Sequence, residues 1–204
     1  MYDAYESYMD CFCRFLARIG IGYSRDEDLQ IVKAAGFNSV RIPVRWESDV
    51  DIANTIDPQR LAGVKEDIQL ANSLGMPVIV NFHHHQDMNN AAANVENDPE
   101  SFQAELQKFV TMWTQVAAAL NSIPDDMIVF EIMNEPHDIK KSSTVNEIMT
   151  ASYNAIRAVA PTKTIMFEGN GYSKFAEIKK LDLPKDDGNI IVSGHYYEPY
   201  GYTH

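Results

Sequence analysis

From Ser24 onward, amphipathic-helix signals alternate with short apolar runs, and polar residues collect where those runs end. At 204 residues the chain is shorter than the roughly 250 typical of a complete (β/α)8 barrel. Together these observations predict an α/β fold of the TIM (β/α)8 type, incomplete. No internal repeat, low-complexity tract or Gly/Ser-rich linker marks a boundary. Residues 1–204 therefore read as one domain, with 1–23 as an atypical N-terminal segment.

In that segment Tyr5, Tyr8, Phe12, Phe15 and Leu16 recur at helical spacing, so a terminal amphipathic helix is expected, and Arg18 to Gly22 could serve only as a vestigial strand. Ser24 with Glu27 forms a capping box for a helix through Ala35, and Gly36 can take the left-handed conformation that ends it. A strand follows from Phe37 to Val44. Asp57 caps a helix with Pro58 in its first position, which runs to Leu74 and closes at Gly75. Met76 to Phe82 is the next strand. Asp98-Pro99 opens a third helix, whose Phe102, Leu106, Phe109, Val110, Trp113, Val116, Ala117 and Leu120 form one packing stripe. The strand Met127 to Met133 precedes a helix capped by Thr144 and Glu147 and reaching about Ala160. Thr164 to Glu168 and Asn189 to Tyr196 complete five parallel strands, with a short helix near Ser173 to Lys180 between them.

A net charge of −12 and a pI near 4.8 argue against nucleic acid and anionic membrane as partners, since both require a basic face. Cys11 and Cys13 lack nearby Cys or His partners, so they read as free thiols rather than a disulfide framework or zinc module. No apolar run reaches the roughly 18 residues of a membrane span, and the start lacks the basic flank of a signal peptide.

The apolar run ending in Phe130-Glu131-Ile132-Met133 stops at Asn134-Glu135, and Pro136 prevents regular continuation. Asn134 and Glu135 should face a cleft at the strand's carboxyl end, where partial desolvation would raise the Glu135 pKa and suit a general acid. Arg41 and Trp46, His83 and His84, Glu168 and Asn170, and His195 and Tyr197 follow other strands and should meet at the same face. Arg41 inside an apolar strand is expected to enter the barrel mouth or pair with a buried carboxylate. Successive strand residues point to opposite faces, so at most two of His83-His84-His85 could share an ion. No metal site and no cofactor is assigned on that basis.

Four segments now carry a resemblance: residues 36–46 (GFNSVRIPVRW), 80–84 (VNFHH), 130–137 (FEIMNEPH) and 195–199 (HYYEP). In this order and at these intervals they resemble glycoside hydrolase family 5, the endoglucanase-type cellulases, matching about strands 2 to 6 of the family pattern. The resemblance implies a retaining hydrolase of β-1,4-glucan-type polysaccharides, exported from the cell and needing no cofactor. It implies that Glu135 is the general acid/base and that Asn134 binds the sugar 2-hydroxyl. His83, with His84 beside it, would line that subsite. Arg41 would orient the nucleophilic carboxylate and Tyr197 would hydrogen-bond it, with His195 nearby. Trp46 is implied as a sugar platform, although barrel packing is equally open to it.

A retaining mechanism needs a second carboxylate roughly 5–5.5 Å from the first. In the family this is a Glu on the seventh strand, and here the sequence reaches Tyr202-Thr203-His204 just after the sixth, so the nucleophile is expected beyond it. Glu168 and Glu198 are the internal substitutes, and neither is favoured over polar roles in the barrel. The rival readings are a noncatalytic β-glucan-binding or degenerate barrel, and a metal-dependent hydrolase using the histidine run. The expected partner is a β-linked polysaccharide or oligosaccharide, with self-association through open barrel edges as a further expectation.

Overall fold

The computed structural model describes residues 25–83 and 85–203. The N-terminal helix, Cys11, Cys13, Ser24 of the first capping box, and His84 lie outside the described residues. Five parallel strands, β1 (Val40–Val44), β2 (Val78–Phe82), β3 (Ile128–Glu131), β4 (Thr164–Glu168) and β5 (Ile190–Ser193), pair in chain order. The crossover helices are α2 (Pro58–Ser73), α3 (Gln86–Ala93), α4 (Pro99–Leu120), α5 (Ser142–Val159) and the single-turn α6 (Phe175–Ile178). Helix α1 (Arg25–Ala34) precedes the sheet and α7 (Tyr200–Thr203) follows it.

β3 and β5 start one residue later than the sequence predicts and end two and three residues early, at Glu131 and Ser193; β1 and β2 start three and two residues late, for one physical reason. Gly36 and Gly75 have φ of +92° and +70°, and each ends its helix in a Schellman arrangement. Gly36 N–H donates to Lys33 O and Phe37 N–H to Val32 O; Gly75 N–H donates to Asn72 O and Met76 N–H to Ala71 O. Phe37 and Met76 thus terminate helices instead of opening strands. The Asp57 and Asp98 caps form as expected, accepting from Gln59 N–H at 2.8 Å and Ser101 N–H at 3.0 Å. Thr144 and Glu147 do not form a capping box. Helix α5 already begins at Ser142, Lys141 at its N-cap supplies no side-chain bond, and Thr144 is buried inside the first turn.

Period-two alternation sorts each strand into two faces. Ile42, Val44, Val78, Val80, Phe82, Ile128, Phe130, Ile165 and Phe167 are buried, as are the predicted α4 stripe and Met112, with Val110 only half-buried. Phe82 sits at the centre of that core, 4.7 Å from the Phe109 ring and 5.0 Å from Trp113. The opposite face carries Arg41, Ile79, Glu131, Met166 and Ser193, which line a cavity of about 360 Å³ in the concave side of the sheet. Trp46 belongs to the apolar layer. It is fully buried, donates its indole N–H to Asn81 O at 3.1 Å and packs 6.1 Å from Phe82, so it is a core residue and not a sugar platform.

Candidate active site

The concave face is organised by one buried ion pair. Glu131 is 1% exposed and receives Arg41 through two bonds, Nε to Oε2 at 2.7 Å and Nη2 to Oε1 at 2.5 Å. Asn81 Nδ2 donates to the same Oε1 at 2.9 Å. A buried carboxylate requires such compensation, and the forked guanidinium provides it with fixed geometry. Arg41 therefore meets the buried partner expected of it, and that partner is Glu131. Its Nη2 also donates to Asn134 Oδ1 at 2.7 Å, so the amide carbonyl faces Arg41 and the NH2 end is turned away from it. Asn134 N–H is tied to Phe82 O at 2.9 Å, and His83 is buried at the end of the neighbouring strand.

Glu135 leaves the strand in a left-handed conformation, φ +48°. Its Oε1 lies 2.6 Å from His195 Nδ1 and accepts the Tyr197 hydroxyl at 2.9 Å. The other His195 nitrogen, Nε2, is 3.0 Å from Oε1 of the buried Glu168. His195 thus bridges two carboxylates. The Tyr197 phenol, expected to meet a nucleophilic carboxylate, donates to Glu135 here. A cavity of about 780 Å³ opens beside Glu135, walled by Tyr172, Phe175, Tyr196 and Tyr197.

Electrostatics overturn the raised pKa expected for Glu135. Desolvation is the largest single influence and pushes the pKa up, but the bonds from His195 and Tyr197, with the charges of His195 and Arg41, outweigh it and hold the group below its usual range. Glu168 is also held low, burial being overcome by the bond and charge of His195 and the bonds from Ser173 and the Glu135 backbone. His195 moves the other way, to about 10, through its bonds to Glu135 first and Glu168 second. A histidine whose pKa rises from 6.5 to about 10 on folding contributes stability that is complete below pH 6.5 and lost as pH climbs through about 10. Urea unfolding between these limits should show stability falling with pH, and His195→Gln should flatten that slope. An unchanged slope in the variant would exclude His195 as its source.

Some contributors carry no sequence signal that the strand-exit pattern could use. Asn89 on α3 accepts the His137 N–H at 3.1 Å, and the Ser173 hydroxyl donates to Glu168 Oε2. Asn170, expected at the site, instead donates to Ile139 O at 2.6 Å and braces the loop. Among the described residues no group of three or more His, Cys, Asp or Glu is placed to hold a metal ion.

The family model for cellulase (glycosyl hydrolase family 5) matches residues 12–204. Endoglucanase H of Acetivibrio thermocellus is 29% identical over 174 residues, covering 84% of this chain and 18% of that protein. Endoglucanase B of Clostridium cellulovorans is 30% identical over 193 residues, covering 84% of this chain and 41% of that protein. Among solved structures, Thermotoga maritima Cel5A in complex with mannotriose superposes with a TM-score of 0.78 at 31% identity. Its cellobiose complex does so with 0.78 at 32%. Each alignment covers 88% of this chain and 55% of the Thermotoga chain, so the chain spans about half the length of these structures. The five-stranded α/β arc is accordingly an incomplete barrel of the TIM type.

Proposed function

The chain belongs to the cellulase family, glycosyl hydrolase family 5, and from that membership we propose that it supplies the acid/base half of a retaining β-1,4-glucanase site. The observation that carries the proposal is the Glu135 carboxyl at a strand exit, gripped by His195 and Tyr197 and flanked by an Asn134 amide that Arg41 orients. In this reading Glu135 protonates the leaving glycosidic oxygen and then activates the water that hydrolyses the glycosyl-enzyme. The Asn134 NH2 donates to the sugar 2-hydroxyl, and His83 borders the same subsite. The nucleophilic carboxylate comes from residues outside these 204, and its charge would draw on Arg41 and Tyr197. As a family member the protein is expected to act outside the cell.

Ligand should lie in the cavity beside Glu135. Its volume of about 780 Å³ falls in the roughly 300–1,000 Å³ range of small-ligand sites. Tyr172, Phe175 and Tyr196 expose aromatic surface there, suited to the apolar faces of β-linked glucose. Cellobiose and mannotriose, bound by the Thermotoga relative, are the first ligands to try. Calorimetry of the 204-residue chain with cello-oligosaccharides is expected to detect binding that Asn134→Ala weakens by about tenfold, the equivalent of one or two lost hydrogen bonds. Absence of binding at millimolar ligand by a folded chain would sink the subsite.

A further inference from the structure

The residue assigned as acid/base is held in a conformation that side chains with a Cβ rarely adopt, and a second such segment lies against it. Glu135 has φ +48°, while Gly171, Tyr172 and Ser173 have φ of +64°, +63° and +55°. Consecutive left-handed residues persist only where surrounding contacts impose them, and they gather at functional sites. Here the contacts run between the two segments. Tyr172 N–H donates to Pro136 O at 3.0 Å, and its ring stacks on His137 with centroids 4.7 Å apart and planes 8° apart. Ser173 O accepts the His195 N–H at 2.9 Å.

Glu168 lies at the centre of this arrangement and is 1% exposed. Its Oε2 accepts two donors, the Glu135 N–H at 2.9 Å and the Ser173 hydroxyl. Its Oε1 is 3.0 Å from His195 Nε2, and the opposite nitrogen of that ring is 2.6 Å from Glu135 Oε1. One buried carboxylate therefore meets Glu135 twice, by a hydrogen bond at the backbone and, at the carboxyl, through an ion-pair contact with a shared imidazole. Of the two internal carboxylates weighed as a substitute nucleophile, Glu168 is engaged here, and the neighbouring buried Glu131 is taken up by Arg41.

We propose that Glu168 is a positioning residue for Glu135, fixing its left-handed backbone through Oε2 and aiming the His195 ring at its carboxyl through Oε1. The catalytic meaning of this rests on the acid/base assignment above; the linkage itself does not. The ionisable groups nearest the His195 ring are Glu135, Glu168 and Tyr197, with Arg41 and its partner Glu131 behind them and Lys174, Glu198, Tyr172 and Tyr196 on the wall of the cavity His195 also lines. With Glu168 ionised, both ring nitrogens face carboxylates and both carry protons. Glu168→Gln keeps an acceptor for the Glu135 N–H and Ser173 hydroxyl but turns an uncharged group toward Nε2, so the imidazolium loses one of its two counter-charges.

Nitrogen-15 NMR of the His195 ring in the 204-residue chain tests this. In the unaltered chain at pH 8 both ring nitrogens should show imidazolium shifts, a readout that needs no variant. In Glu168→Gln the ring should titrate about 1–3 pH units lower, the usual effect of one close opposite charge. In a form carrying two further βα units, the same substitution should lower kcat while KM changes little, and it should move the pH profile. A neutral His195 ring at pH 8, or an unchanged titration in a folded Glu168→Gln, overturns the proposal. Full activity of Glu135→Gln alongside the expected ring shifts would instead overturn the acid/base assignment and leave the linkage standing.

Discussion

Glu135→Gln, in a form of the protein carrying two further βα units after His204, is expected to lower hydrolysis of unactivated cello-oligosaccharides by about 10²–10⁴-fold, the range of general acid–base catalysis. Glutamine has the size of glutamate, and its amide oxygen can still accept from His195 Nδ1 and the Tyr197 hydroxyl, so the bonds at 2.6 and 2.9 Å can be kept. What it lacks is the transferable proton. The deficit should therefore depend on the leaving group. An alkoxide from glucose needs protonation, whereas an activated phenolate departs unaided, so glycosylation by an aryl cellobioside should be nearly spared. Deglycosylation still needs a base, and a burst of phenol followed by a slow steady state is the expected trace. Stopped-flow release of phenol beside reducing-sugar assays separates the two steps. Unaltered rates on oligosaccharide would exclude Glu135 as the acid/base.

Legibility in the sequence followed the range of the interaction. Helix ends were legible because their determinants are local, as at Asp57-Pro58 and Asp98-Pro99, where cap and first helical residue adjoin. Strand order was legible because parallel crossovers leave few alternatives, and Thr164–Glu168 has the predicted bounds. Helix α3 was missed. Its apolar face is short, Met88, Ala91 and Ala92 among Gln, Asp and Asn, and its N-cap is His85, which accepts from Met88 N–H at 3.4 Å and is no usual cap. At the site, strand-exit position identified Arg41, Asn134, Glu135 and His195 as neighbours but could not assign partners. Glu131 lies 90 residues from Arg41 in sequence and Glu168 33 from Glu135; the first pair reaches across β2 from β3 to β1 and the second spans the exits of the adjacent β3 and β4, so only the register of the sheet brings them together. Trp46 is a case the sequence leaves open. An aromatic after a strand fits a platform or a core equally well, and what decides is whether other parts of the chain close over it, as β2 does through Asn81 O and Phe82.

The 204-residue chain alone should hydrolyse an activated aryl β-cellobioside at least about 10⁴-fold more slowly than a form extended by two βα units, the scale on which removal of a covalent nucleophile acts. Two defects combine. The first is geometric: a retaining pair stands roughly 5–5.5 Å apart, and the buried carboxylates near Glu135 are committed elsewhere, Glu131 to Arg41 and Asn81, Glu168 to Ser173, His195 and the Glu135 backbone. The second is electrostatic. With His195, Tyr197 and Arg41 all acting on Glu135, its pKa is depressed, which disfavours the protonated carboxyl that an unactivated leaving group requires, so this defect adds to the first on oligosaccharides and not on the aryl cellobioside. A second carboxylate entering beside Arg41 would change both at once. It would supply the nucleophile, compete for the Tyr197 hydroxyl, and by like-charge repulsion push the Glu135 pKa up toward the range of a working acid. Extension should therefore raise the carbon-13 titration midpoint of the Glu135 carboxyl as well as the rate. Comparable rates from the two forms would mean the nucleophile lies within these residues, and Glu168 and Glu198 would be the first to replace. A rate gain with no shift in the Glu135 midpoint would leave the geometric argument standing and remove the electrostatic one.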